Sequence, residues 1–145
     1  MKKHLYIVGL DGSEWSERAA KRAINLASQT GACVELVYVL DVARLQPMVV
    51  EGVAPPLMNA RDEEGIANET VIDPIKDKYK ALDVELSSVL VWGDPVDVIH
   101  DRIKSERANM VFVGRRGRSR FADLLLGSVA NKLAHCTGVP IVLVP

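Results

Sequence analysis

Five short apolar runs punctuate the chain: Leu5–Leu10, Val34–Val39, Val84–Val91, Met110–Val113 and Ile141–Val144. All are rich in Val, Ile and Leu, as strands are. The first, fourth and fifth are almost uninterrupted, the pattern of strands buried on both faces of a parallel sheet. The third alternates, with Glu85, Ser87 and Ser88, and is expected nearer an edge. Between the runs the apolar period becomes helical. Ser13 is placed to cap a helix with Glu14 and Glu17 in its first turn, followed by Ala20, Ala23, Ile24 and Ala27 on one stripe. Gly31 closes it. A second helix is predicted over about 59–81, with Ile72, Ile75, Tyr79 and Leu82 on one face and a kink or break before Pro74. Asp94-Pro95 reads as a cap and first residue, with Val96, Ile99 and Ile103 inward. The last helix is predicted over Gly127–Cys136, with Val129 and Leu133 inward and Thr137-Gly138 ending it.

Strands that alternate with helices in this way build an α/β fold. A doubly wound five-stranded parallel sheet with right-handed crossovers and helices on both faces is expected. Its 145 residues fit one domain, 1–145. Eighteen Lys and Arg stand against nineteen Asp and Glu, a net charge of −1. That balance argues against nucleic acid or an anionic membrane held by bulk charge. Cys33 and Cys136 form no framework and suit a reducing, cytoplasmic setting. Leu5–Leu10 is too short for a signal-peptide core, and no run approaches the length of a membrane span. The long connection Asp41–Leu57 carries Pro47, Pro55 and Pro56, and connections of that length are usually functional.

In open α/β sheets, ligands bind beyond the carboxyl ends of the strands, where the strand order reverses. The first strand ends in Gly9-Leu10-Asp11-Gly12-Ser13, and the fourth in Gly114-Arg115-Arg116-Gly117-Arg118-Ser119-Arg120. Glycines let backbone approach a phosphate and adopt φ values closed to other residues. Gly127-Ser128, ten residues beyond Gly117, opens the last helix, and a helix N-terminus offers free N–H groups and a positive dipole end. One loop can thus grip an anion from two sides. Plain turn chemistry explains the same glycines, and a solvated surface explains Asp11 or any one arginine. His4, His100 and His135 have no metal-ligand spacing, so no metal site is expected. Cys33 reads as a buried small hydrophobe and Trp92 as packing. No Walker A, GxGxxG or GxSxG motif is present.

The spacing Gly114-x2-Gly117-x9-Gly127-Ser128 resembles the nucleotide-binding signature of the universal stress protein family, in its ATP-binding branch. The likeness extends to Ile7–Ser13, Val37-Tyr38-Val39, Gly93-Asp94-Pro95, Val111–Gly114 and Gly138–Val144. Gly9 departs from it, standing where some members have proline, and Arg115 and Arg116 make the loop more basic than in many. The resemblance implies sheet order 3-2-1-4-5 and a cofactor, ATP or else ADP or AMP, with Mg²⁺. It implies Asp11 near base or ribose, Val39 against the adenine, and Val113 and Gly114 flanking ribose and phosphates. Gly117, Gly127, Ser128 and Val129 would meet phosphate oxygens, with Gly9, Arg115, Arg116 and Arg118 completing the contact set. It also implies a homodimer through the edge strand 139–145. The function so implied is a nucleotide-dependent regulatory module with an unidentified protein partner. A slow ATP hydrolase or phosphotransferase on the same site is the alternative.

Overall fold

The computed structural model describes residues 2–41, 60–117 and 126–145. Its elements run β1 (Leu5–Leu10), α1 (Glu14–Thr30), β2 (Cys33–Leu40), α2 (Ala60–Ala67), a π-helical segment (Asn68–Ile72), α3 (Asp73–Tyr79), β3 (Leu86–Trp92), α4 (Pro95–Glu106), β4 (Met110–Gly114), α5 (Ser128–Cys136) and β5 (Ile141–Val144). The five strands form one parallel sheet in the order β3-β2-β1-β4-β5.

Strand alternation sorts the core into two layers. Tyr6, Val8 and Leu10 of β1, with Val34, Leu36 and Tyr38 of β2, pack against Ala20, Ala23 and Ile24 of α1 and against Ile72 and Ile75. Ile7, Val37, Val111 and Val113 point the other way, onto Ile99 and Ile103 of α4 and Ala130 and Leu133 of α5. Small alanines let α1 sit close on the sheet, where they are fully buried. On the opposite face Glu35 of β2 is buried among apolar neighbours. Arg102 of α4 holds its carboxylate with two nitrogens, Nη2 to Oε1 and Nε to Oε2 at 3.2 Å. A charge so enclosed needs its partner.

The helix ends follow their capping residues. Ser13 accepts from the Ser16 N–H at 3.2 Å, and Gly31 closes α1 at φ 74°. Asp94 accepts from the N–H groups of Val96 and Asp97 at 2.9 and 3.1 Å, with Pro95 next.

Three expectations are corrected, in whole or in part. The helix over 60–79 does not break before Pro74. The chain widens into π turns over Asn68–Ile72, with the Asp73 N–H reaching the Asn68 carbonyl. Pro74 therefore falls in the first turn of α3, where a missing N–H costs little. Leu82 lies beyond that helix and is 38% exposed rather than on its buried face. Ala130 joins Leu133 in the buried core, and Val129, as expected, packs against that cluster, partly buried, while also lining the cavity at the strand ends. Cys33 is only half-buried, and its thiol donates to Glu85 Oε2 at 3.3 Å. Burial and that carboxylate raise its pKa above the ordinary thiol value, while the thiol and Lys3 lower that of Glu85. Among the described residues no helix is long and apolar enough to cross a membrane.

Candidate functional site

The chain leaves β1 for β2 and β3 on one side and returns to β4 on the other. The strand order reverses between β1 and β4, and their carboxyl ends open a crevice there. A cavity of about 260 Å³ occupies it. Gly9, Leu10 and Asp11 come from β1 and its turn, Tyr38, Val39 and Asp41 from the end of β2, and Pro95 and Ile99 from the start of α4. Val113, Gly114, Arg116 and Gly117 come from β4 and its turn. Gly127, Ser128, Val129 and Ala130 come from the start of α5, and Ser16 from α1.

The turn after β1 is tied down by its own side chains. Asp11 Oδ1 accepts from the Ser13 N–H at 2.9 Å, and the intervening Gly12 sits at φ 80°, where a side chain is disfavoured. The buried Ser16 hydroxyl donates to the Ser13 carbonyl at 3.0 Å and accepts from the Asp11 N–H at 3.3 Å. This leaves Asp11 Oδ2 facing Gly117, where an added Cβ would stand 2.7 Å from it. Asp11, expected near base or ribose, thus also lies beside the second glycine of the phosphate loop.

Space requires glycine at Gly114 and Gly117, and backbone conformation requires it at none of the three loop glycines. Gly114, Gly117 and Gly127 are not among the residues of positive φ. A Cβ on Gly114 would meet Trp15 Cβ at 2.7 Å and the Arg116 carbonyl oxygen at 2.8 Å. A Cβ on Gly127 would make only ordinary contacts, the nearest at 3.4 Å. Gly127 instead ties the two halves of the loop, its N–H donating to the Arg115 carbonyl at 2.7 Å.

Gly127 is also the N-cap of α5 and has no side chain to cap with. The first intrahelical bond runs from the Asn131 N–H to the Gly127 carbonyl at 2.9 Å. The N–H groups of Ser128, Val129 and Ala130 therefore lie ahead of the helical ladder, at the positive end of the helix dipole, in residues that line the cavity. Arg116 adds a full positive charge to this end. Its Nε is buried and meets no acceptor among the described residues. Such an atom normally has a partner.

The structure thus gathers Gly9, Asp11, Val39, Val113, Gly114, Arg116, Gly117, Gly127, Ser128 and Val129 around one space. Arg115 is not in its wall. It points outward, and its N–H extends the β4–β5 ladder to the Val144 carbonyl at 2.7 Å. Arg118 lies outside the described residues. Sequence reasoning missed Leu10, Ser16, Tyr38, Asp41, Pro95, Ile99 and Ala130. The end of β2 and the Asp94-Pro95 cap were visible signals, but which helix start faces the crevice is decided by packing. Among the described residues no three His, Cys, Asp or Glu side chains cluster as metal ligands.

A model of the universal stress protein family matches residues 6–145. A universal stress protein of Methanocaldococcus jannaschii is 29% identical over 133 residues, covering 90% of this chain and 76% of that one. Among solved structures, a universal stress protein from Lactobacillus plantarum superimposes with a TM-score of 0.83 at 17% identity, covering 100% of this chain and 99% of that one. A universal stress protein from Archaeoglobus fulgidus, in complex with dAMP, superimposes at 0.69 with 20% identity, covering 99% and 98%. At these identities the solved structures share the fold.

Proposed function

We propose, from the premise that this chain belongs to the universal stress protein family, that it binds adenine nucleotide, with ATP first, in the β1/β4 cavity. In this reading it acts as a nucleotide-dependent regulatory module of a stress response. The observation that carries the reading is the anion-seeking end of the cavity. There the uncapped start of α5 and the bare Cα of Gly117 converge in one wall, which Arg116 joins. A phosphate oxygen there would meet the N–H groups of Ser128 and Val129. The space over Gly117 closes as soon as a Cβ is added. These features fit a nucleotide's phosphates. That an Archaeoglobus fulgidus protein of this fold is a complex with dAMP supports the choice of an adenine nucleotide.

Mg²⁺ would be held mainly by the phosphates, since the cavity's carboxylates among the described residues are Asp11 and Asp41. When bound it would supply charge neutralisation. Efficient phosphoryl transfer needs a residue that orients water or removes its proton. The described wall carries no His, Glu or Lys, and one Asp11 oxygen is fastened to the Ser13 N–H. Binding without efficient turnover follows. We also assign the edge strand β5, with its unpaired backbone groups, as the pairing surface of a homodimer.

The test is mass spectrometry of the nucleotide released from protein purified without added nucleotide, with a turnover assay alongside. ATP, ADP or AMP in stoichiometric yield, and turnover well below about 1 s⁻¹, is the expected result. No nucleotide, together with no binding of added ATP, rejects the reading. Sustained faster turnover makes the protein an enzyme.

A further inference from the structure

We infer that Ser16 is a positioning residue of the nucleotide site: through the backbone of the β1–α1 turn it holds the Asp11 carboxylate in the cavity wall. The inference rests on the nucleotide reading above and adds to it a residue outside the glycine signature.

The turn is flanked by space on two sides. Asp11 and Ser16 line the nucleotide cavity. Behind them a second, smaller cavity of about 80 Å³ lies between the turn and the π segment, with Gly12, Ser13, Ser16 and Thr70 in its wall. Gly12, at φ 80°, brings no side chain to fill either. Packing therefore gives this turn little support, and hydrogen bonds must fix it. They converge on Ser16, which is buried. Its N–H donates to Ser13 Oγ at 3.2 Å. Its hydroxyl donates to the Ser13 carbonyl at 3.0 Å and accepts from the Asp11 N–H at 3.3 Å. Asp11 Oδ1 closes the ring by accepting from the Ser13 N–H at 2.9 Å.

The hydroxyl serves the turn and not the helix. A serine that bonds back to a carbonyl one turn earlier slightly weakens its helix, and alanine is the better helix former. What the oxygen adds is the link to Asp11. Its one proton is committed to the Ser13 carbonyl, and one of its two acceptor positions to the Asp11 N–H. It lies behind the turn, while Asp11 Oδ2 stands against Gly117 on the cavity side. Without the hydroxyl, the Asp11 N–H loses its acceptor and the Ser13 carbonyl one of its donors. Both ends of the Asp11–Ser13 turn are then released, and the carboxylate leaves its place beside Gly117. Ser16 thus acts on a bound nucleotide through Asp11.

Calorimetric titration of the full chain with ATP tests the inference on wild type, Ser16→Ala, Asp11→Ala and the double variant, with folding checked by circular dichroism. Ser16→Ala is expected to weaken ATP about 3–10-fold. Added to Asp11→Ala it should change the affinity by less than about twofold, since no carboxylate is left to position. A serine that touches the ligand, or only supports the fold, weakens ATP equally in both backgrounds, and that result overturns the inference. Ligand-free ¹⁵N spectra give a second readout, which decides even where Asp11→Ala leaves too little affinity to measure. Ser16→Ala should shift the amide resonance of Gly117 along with those of Asp11 and Ser13, and Asp11→Ala should remove that response at Gly117. A Gly117 amide that stays in place in Ser16→Ala contradicts the link. Wild type that binds ATP with an affinity indifferent to Ser16→Ala overturns the inference and leaves the nucleotide reading standing. Wild type that binds no ATP overturns both.

Discussion

Gly117→Val separates a phosphate cradle from an ordinary turn. A Cβ at this position would lie 2.7 Å from Asp11 Oδ2. Non-bonded atoms settle nearer 3.5 Å, so the carboxylate must retreat by about 0.8 Å. Its other oxygen holds the Ser13 N–H at 2.9 Å, and that bond is stretched or broken by the same movement. The loss to the fold is at most one hydrogen bond to a charged group, about 1.5–3 kcal/mol, partly restored by water. Against a stability of about 5–15 kcal/mol the fold survives. Binding suffers more, because the valine methyls fill the space over the loop that the phosphates would use. Losing two charge-assisted contacts weakens ATP by about 10²–10⁴-fold. Calorimetry with ATP and urea denaturation on the same samples separate the two effects. Gly127→Ala is the matched control. Its φ of −62° and nearest contact of 3.4 Å leave the protein room for a methyl, so any loss of ATP there reports the approach of the ligand. A Gly117→Val protein that binds ATP within about threefold of wild type refutes the cradle.

Arg102→Ala strands the buried carboxylate of Glu35 and should destabilise the fold by about 3–5 kcal/mol in urea denaturation; a loss under about 1 kcal/mol would mean that the pair behaves as an exposed one. Exposed Cys136 should be alkylated by iodoacetamide before half-buried Cys33 in a peptide-mapped time course, and the reverse order contradicts the Cys33–Glu85 contact. Because the fold raises the Cys33 pKa, its thiol favours folding below the unfolded value, and this is lost as pH rises through the folded value. Cys33→Ala should therefore flatten the alkaline decline in stability, and an unchanged decline contradicts that. Placing a proline at Leu143 of β5, whose N–H points away from β4, should turn the dimer to monomer in sedimentation analysis, and a wild-type monomer at micromolar concentration refutes pairing through β5.

The buried parallel sheet was legible because uninterrupted runs such as Ile7-Val8 and Val111-Phe112 have no polar face to turn to water, which demands cover on both sides, whereas its strand order came from the family resemblance. Caps were legible for a local reason: Ser13, Gly31 and Asp94 act on residues two to four positions away. The π segment was not. It arises from how the chain absorbs Pro74 while keeping Ile72 and Ile75 on the core, a compromise between two demands that neither residue announces. For the site, glycine spacing pointed to the β4–α5 half, where the members are near in sequence. The β2 and α4 half comes together only through the sheet, which is why Asp41, Pro95 and Ile99 were not assigned to the site although the end of β2 and the Asp94-Pro95 cap were visible.

The central claim is that ATP occupies the β1/β4 cavity with its phosphates at the start of α5. Titrating ¹⁵N-labelled protein with ATP in the presence of Mg²⁺ and following the amide resonances tests it directly. Saturable shifts are expected at Gly114, Gly117, Ser128 and Val129, joined by Val39 and Asp41 at the far end. Inorganic triphosphate should move the first group and leave the second in place. If these amides stay still at millimolar ATP, or the shifts gather on another surface, the cavity is not a nucleotide site and the account is wrong.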